Sequence, residues 1–64
     1  MKTEFDKIFE VVLEEVFYEI KPSDEQKEYL YWFLFKEWSR DSSMDDLLAS
    51  AESYFDYLAN NGEI

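Results

Sequence analysis

The sequence predicts an all-α fold, a compact three-helix bundle with helices at about residues 3–20, 24–39 and 43–60. Apolar residues recur at helical spacing in three segments, and short polar segments separate them. The chain contains one Pro and one Gly, which is too little punctuation for the turns of a β-fold. At 64 residues we expect one acidic three-helix domain that spans residues 1–64.

The first helix has the clearest pattern. Thr3 is a suitable N-cap, and Asp6 stands three residues later at the reciprocal position of a capping box. Pro22 disfavours helical geometry at Lys21, so we expect the helix to continue to about residue 20. Its apolar positions follow the i, i+3, i+4, i+7 rhythm of an amphipathic helix at Phe5, Ile8, Phe9, Val12, Leu13, Val16, Phe17 and Ile20.

Serine residues mark the starts of the other two helices. Ser23 is an N-cap with Gln26 at the capping-box position. Ser42 or Ser43 caps the third helix. Gly62 is suited to the left-handed position that follows a helix end, so the third helix should close just before it.

Residues 29–35 read YLYWFLF, an apolar run that could form either a strand or a helix. Aromatic residues favour strands, but a lone strand would have no partner between two segments of helical period. We therefore interpret the run as helix. On a helical wheel, one face carries Leu30, Tyr31, Leu34, Phe35 and Trp38, and the opposite face carries Tyr29, Trp32 and Phe33.

Two interpretations of the second face remain open. In the first, helix 2 is the central and most buried helix, and its tyrosine hydroxyls reach water. In the second, Tyr29 and Trp32 are partly exposed and form an aromatic interface, either for another protein or for a homodimer.

The charge balance constrains the partners. The chain has 16 Asp and Glu against 6 Lys and Arg, a net charge of −10. This field repels nucleic acid and anionic lipid, so we expect no direct nucleic-acid partner and no membrane partner. A basic protein surface is favoured, above all one on a nucleic-acid-binding protein. The apolar run is far shorter than a membrane span of about 20 residues, and MKTEFDKIFE lacks the apolar stretch of a signal peptide, so we expect a cytoplasmic location.

The sequence gives little support for a catalytic site, a cofactor site or a metal site. The chain has no His and no Cys, so no base is present to activate a serine nucleophile. The segment from Asp41 to Glu52 resembles a calcium loop in its first, third, fifth and twelfth residues, but Asp46 occupies the sixth position, where glycine is needed. We predict a non-enzymatic protein without cofactor or metal.

The acidic helix faces are the main candidate site. Glu10 and Glu14 are neighbours at i, i+4, and Glu15 and Glu19 form a second such pair, with about 6 Å between neighbours. This spacing is close to that of successive phosphates on a nucleic-acid strand. The predicted partner-binding residues combine these acids with apolar anchors: Glu4, Glu10, Val11, Glu14, Glu15 and Tyr18 on helix 1, and Asp46, Glu52, Asp56 and Tyr57 on helix 3.

Two functions follow. The first is an acidic inhibitor that mimics nucleic-acid charge and occupies the basic groove of a nucleic-acid-handling protein, as phage- or plasmid-encoded antagonists of host defence and repair enzymes do. The alternative is an interaction or regulatory module, such as an adaptor, immunity or antitoxin-like protein, that uses the aromatic surface of helix 2. No motif relates the chain to one known family.

Overall fold

The computed structural model describes residues 3–64, which form three α-helices: α1 (Glu4–Val16), α2 (Asp24–Trp38) and α3 (Met44–Asn60). The predicted all-α, three-helix fold is confirmed. The bounds of α2 and α3 agree with the prediction to within one residue. Met1 and Lys2, which open the stretch considered for a signal peptide, lie outside the described residues.

Ring contacts show the direction of each helix. Phe5, near the start of α1, has its ring centroid 5.4 Å from that of Trp38, at the end of α2. Tyr29, early in α2, stacks at 5.3 Å on Tyr54, late in α3. Consecutive helices are therefore antiparallel, and α1 and α3 run parallel to each other.

All three helices begin with a complete capping box. In each, the N-cap side chain accepts a hydrogen bond from the N3 backbone N–H, and the N3 side chain accepts one from the N-cap N–H. The prediction is confirmed at two caps, and at the third the structure selects Ser43 over Ser42. The pairs are Thr3 with Asp6, Ser23 with Gln26, and Ser43 with Asp46.

A left-handed residue follows the end of α3, as the sequence predicts. Gly62 has φ 71°, its N–H donates to the Ala59 carbonyl at 3.2 Å, and the Glu63 N–H donates to the Leu58 carbonyl at 2.9 Å. These two bonds are those of a Schellman motif. After α2 the same role falls to Asp41, a non-glycine residue with φ 64°.

The hydrophobic core lies between the three helices and draws on all of them. It includes Phe17, which follows α1 and is 1% exposed. None of the described residues that are buried is polar or charged, so burial of apolar surface is the main source of stability. The buried residues are Phe5, Phe9, Val12, Phe17, Leu30, Leu34, Leu47, Ala51 and Leu58.

The predicted end of helix 1 at about residue 20 is wrong, because α1 ends at Val16. Phe17 leaves helical geometry at φ −113° and ψ 34°, and its ring packs against Phe55 at 5.2 Å. Glu14 and Glu15 stand in the last turn, which has no basic residue. Carboxylates there oppose the helix macrodipole, so electrostatics does not favour this end, and the packing of Phe17 on Phe55 is the physical reason for it.

This correction moves four residues, 17–20, off the helix. Tyr18 does not lie on the outward face of helix 1, and Glu15 and Glu19 are not an i, i+4 helical pair, because residues 17–20 form a bend. Ile20, expected on the apolar stripe, is 45% exposed. The apolar rhythm of the sequence continues to Ile20, so it gives no sign that the helix ends at Val16.

No helix within residues 3–64 is both long enough and apolar enough to cross a membrane.

Candidate protein-binding surfaces

The flanks of α1 can be assigned from its contacts with α2. Asp6 accepts a hydrogen bond from the Tyr31 hydroxyl at 2.7 Å, and the Phe9 ring lies 5.1 Å from the Tyr31 ring. A helix turns about 100° per residue, so the flank opposite Asp6 and Phe9 faces α3. That flank carries Glu4, Val11 and Glu15.

The flanks of α3 follow in the same way. Tyr54 stacks on Tyr29 of α2, whereas Phe55 meets Phe17 at the end of α1. Residues beyond Phe55 on the wheel therefore lie on the α1 side of α3 or on its outer ridge. These are Asp45, Glu52 and Asp56.

The outward acids of α1 and α3 consequently adjoin on one side of the bundle. The contact between Phe17 and Phe55 also brings the last turn of α1 level with Glu52. Lys7 is the one cation in the α1 sequence, and the α3 sequence has none. We name this side the acidic surface; it comprises the exposed residues Glu4, Val11, Glu15, Asp45, Glu52 and Asp56, and the exposed Lys7 and Glu14 border it on the outer ridge of α1.

The remaining predicted partner-binding residues lie elsewhere. Glu10 is exposed on the outer ridge of α1, and Tyr18 is 69% exposed in the bend after α1. Asp46 lies on the α2 side of α3, where its Oδ2 accepts a hydrogen bond from the Ser43 N–H at 3.4 Å. Tyr57 also lies on the α2 side. The structure thus separates Asp46 and Tyr57 from Glu52 and Asp56.

The outer side of α2 is aromatic and open. Tyr29 is 61% exposed and Trp32 is 56% exposed, so α2 is not enclosed on all sides by its neighbours. Trp32 makes edge contacts with the rings of Tyr31 at 5.2 Å and Phe35 at 5.8 Å. This exposure agrees with the partial exposure that the second interpretation expects, and the aromatic interface itself stays a prediction.

A groove of about 690 Å³ runs between α2 and α3. Its wall is a row of near-parallel rings in which Tyr29 stacks on Phe33 at 6.3 Å and on Tyr54 at 5.3 Å, and Tyr54 stacks on Tyr57 at 6.4 Å. We name it the aromatic groove. Its lining residues are Glu25, Gln26, Tyr29, Phe33, Ser50, Ser53, Tyr54, Tyr57, Leu58 and Glu63.

Sequence reasoning missed the groove, because Tyr54 has the helical spacing of a core position, together with Leu47, Ala51 and Leu58. The structure leaves Tyr54 half-buried, beside the exposed Tyr57. The presence of two tyrosines at i, i+3 on one flank was the available signal, since a tyrosine keeps its hydroxyl near water. The partner rings on α2 could be found only from the packing.

Two tyrosines have altered acidity. A hydrogen bond to Asp6, assisted by desolvation and the charge of that carboxylate, raises the pKa of Tyr31 above its ordinary value of 10.0. Burial raises the pKa of Tyr54, with smaller contributions from Glu63, Tyr29 and Tyr57. Both hydroxyls therefore stay protonated and neutral near pH 7.

Among residues 3–64, no group of three or more His, Cys, Asp or Glu side chains is placed to hold a metal ion. Comparison with protein-family models, curated proteins and solved structures gives no match for this chain. Function is therefore inferred from the two surfaces themselves.

Proposed function

We propose that this chain is a small, non-enzymatic inhibitor that mimics nucleic-acid charge. Its acidic surface occupies the basic groove of a nucleic-acid-handling protein in the cytoplasm, as a phage- or plasmid-type antagonist of a defence or repair enzyme would do. The proposal rests on the placement of outward acids of α1 and α3 on one side of the bundle, which we infer from helical geometry and from the contacts of Asp6 with Tyr31 and of Phe17 with Phe55.

The placement of these acids supports a role in binding rather than in folding. Glu14 and Glu15 lie in the last turn of α1 with no basic residue beside them in that turn, where acids oppose the macrodipole. Selection for stability alone would replace such residues with lysine. A basic partner would turn the same charges into favourable contacts.

An apolar contact is also available within the acidic surface. Val11 is 44% exposed and lies on the flank of α1 that faces α3. Charge complementarity mainly accelerates association and selects the partner, whereas desolvated apolar residues supply much of the affinity. Val11 provides that component, and Tyr18, exposed in the bend after α1, is a second apolar candidate.

The proposal is tested by capturing partners from a bacterial lysate on the immobilised chain. We expect nucleic-acid-binding proteins that are released by duplex DNA and by about 0.5 M NaCl, where the Debye length is only about 4 Å. Capture of proteins that duplex DNA does not displace would contradict the mimic.

A matched pair of variants localises the interaction. The Glu15→Lys/Glu52→Lys variant reverses two charges on the acidic surface, and the Glu25→Lys/Glu28→Lys variant makes the same net change on exposed residues of α2. We expect the first variant to lose the captured protein and the second to keep it. Equal losses would show that net charge matters and the acidic surface does not. Circular dichroism verifies that both variants remain helical.

A second candidate function is favoured by the exposure of Tyr29 and Trp32. In this case the chain is an interaction or regulatory module, and the aromatic side of α2 contacts the partner or a second copy of the chain. Exposed aromatic clusters are typical of such interfaces. Trp32→Ala then weakens partner binding or homodimer formation, whereas an unchanged affinity and an unchanged mass by light scattering would exclude this surface.

A further inference from the structure

We propose that the aromatic groove binds an arginine side chain of a basic peptide segment. This inference rests on the second candidate function and is independent of the acidic surface. The guanidinium would lie against the exposed ring of Tyr57 and beside the exposed ring of Tyr29, and the carboxylates of Glu25 and Glu63 would balance its charge. The juxtaposition of an aromatic row with an acidic rim carries the proposal.

The aromatic groove has exposed tyrosine rings on both of the helices that border it. Tyr29 is 61% exposed and Tyr57 is 58% exposed, and both stack on Tyr54 between them. The Tyr29 and Tyr54 rings are inclined by 27°, and the Tyr54 and Tyr57 rings by 17°. The row therefore has near-parallel ring planes and ends at Tyr57, which stacks on Tyr54 alone in this row, and an exposed ring at the end of such a row can receive a cation.

The charges at the groove favour a cation over a neutral or anionic ligand. Of the described residues that line the groove, two are carboxylates, Glu25 and Glu63, and none is Lys or Arg. The Glu63 charge reaches the ring row, because it contributes to the raised pKa of Tyr54. An anionic peptide would meet repulsion here, and an apolar one would leave the carboxylates without compensation.

The rim position of Glu63 is fixed by backbone and side-chain contacts. Its N–H donates to the Leu58 carbonyl at 2.9 Å, and its own carbonyl accepts a hydrogen bond from the Gln26 side chain at 3.3 Å. Gln26 in turn completes the capping box of α2. The wall of the groove is thereby held by both helix ends that border it, which lowers the ordering cost of binding.

Arginine suits the groove better than lysine does. Its guanidinium is planar, stacks on aromatic rings and can form two parallel hydrogen bonds with a carboxylate. An ammonium is a more strongly hydrated point charge and loses more on leaving water. The groove should therefore discriminate between these two cations even though their charge is equal.

The test is an NMR titration of the full chain with three short peptides that differ at one position. The first contains a single arginine, the second contains lysine there, and the third contains citrulline, which is neutral and has nearly the shape of arginine. We expect the arginine peptide to shift the ring signals of Tyr29, Tyr54 and Tyr57. The lysine peptide should bind more weakly, and the citrulline peptide at least about fivefold more weakly.

Two tyrosine variants provide a matched comparison. Tyr57→Leu keeps an apolar side chain in the groove but removes the ring. It should weaken binding of the arginine peptide about fivefold. Tyr18→Leu removes a ring of similar exposure outside the groove and should leave the affinity for the arginine peptide unchanged. Equal binding of the citrulline peptide, or equal effects of the two variants, would overturn the inference.

The acidic-surface variants separate this inference from the main proposal. The Glu15→Lys/Glu52→Lys variant should still bind the arginine peptide in the groove, whereas the Glu25→Lys/Glu28→Lys variant should lose it. Shifts confined to the acidic surface would overturn the inference and leave the main proposal standing. Light scattering gives a further check. If the chain is a homodimer and the Tyr57→Leu variant is a monomer, the inference is overturned, because a second copy of the chain would then occupy the groove.

Discussion

The Tyr31 hydroxyl donates a 2.7 Å hydrogen bond to Asp6 Oδ1, while Asp6 Oδ2 accepts one from the Thr3 N–H at 3.0 Å. A single carboxylate thus completes the N-terminal cap of α1 and holds α2 against it. The same contact shows which flank of α1 faces α2, and so which flank is left to face α3. The location of the acidic surface depends on that assignment.

Because this bond needs a protonated phenol, stability should fall at alkaline pH. The pKa of Tyr31 is raised above 10.0 in the folded chain, and that of Tyr54 is raised as well. Above pH 10 the folded chain therefore binds more protons than the unfolded chain, and the free energy of unfolding decreases as pH rises. Urea unfolding measures this decrease between about pH 8 and pH 11.5. That pH range spans the usual pKa values of tyrosines in folded proteins. The Tyr31→Phe/Tyr54→Phe variant should show a shallower decline, and an identical slope would contradict this assignment.

The N-cap of α3 gives a second prediction. Ser43→Ala removes the acceptor for the Asp46 N–H and should lower the free energy of unfolding by about 1 kcal/mol. Ser53→Ala, on an exposed position inside the same helix, should be neutral or slightly stabilising because alanine is the better helix former. Chemical denaturation of both variants measures the difference, and equal stabilities would argue against a functional cap at Ser43.

The left-handed residues predict effects of opposite sign. A Cβ at Gly62 would meet no atom within 4 Å, so Gly62→Ala should cost about 1 kcal/mol through backbone strain alone. At Asp41, where φ is 64°, Asp41→Gly should relieve strain and stabilise the fold by about 0.5 kcal/mol. Thermal and urea unfolding measure both changes. Stabilisation by Gly62→Ala would contradict the assigned backbone.

Exposure and burial along α2 give a fourth prediction. Leu34 is fully buried, and Leu34→Ala should cost about 2–5 kcal/mol, most of the stability expected of a domain this small. Trp32→Ala should cost less than about 1 kcal/mol, because the ring is largely exposed. A large loss of stability for Trp32→Ala would indicate that this ring belongs to the core, and would remove the aromatic side of α2 as a binding candidate.

Local features of the fold could be predicted because they depend on neighbouring residues. A capping box needs only two residues three apart, so Thr3 and Ser23 could be read directly from the sequence. The left-handed position of Gly62 is local in the same way. The end of α1 is different, because the apolar rhythm persists to Ile20 while the packing of Phe17 on Phe55 favours an earlier end.

The surfaces were predictable only in part. The acids of each helix were identified from the sequence, but their union on one side depends on contacts between distant residues, such as Phe17 with Phe55. For the same reason Tyr57 was grouped with the acids of helix 3, although its ring belongs to a row that begins on α2. Composition supplies the residues of a surface, and packing decides which of them meet.

The most direct test of the acidic surface is displacement of labelled duplex DNA from a captured partner, followed by fluorescence anisotropy. We expect the chain to release the DNA, and the Glu15→Lys/Glu52→Lys variant to require at least about tenfold more protein for the same release. The Glu25→Lys/Glu28→Lys variant should match the unmodified chain. A partner that keeps its DNA while bound to the chain, or equal release by the two variants, would contradict the proposed mimicry.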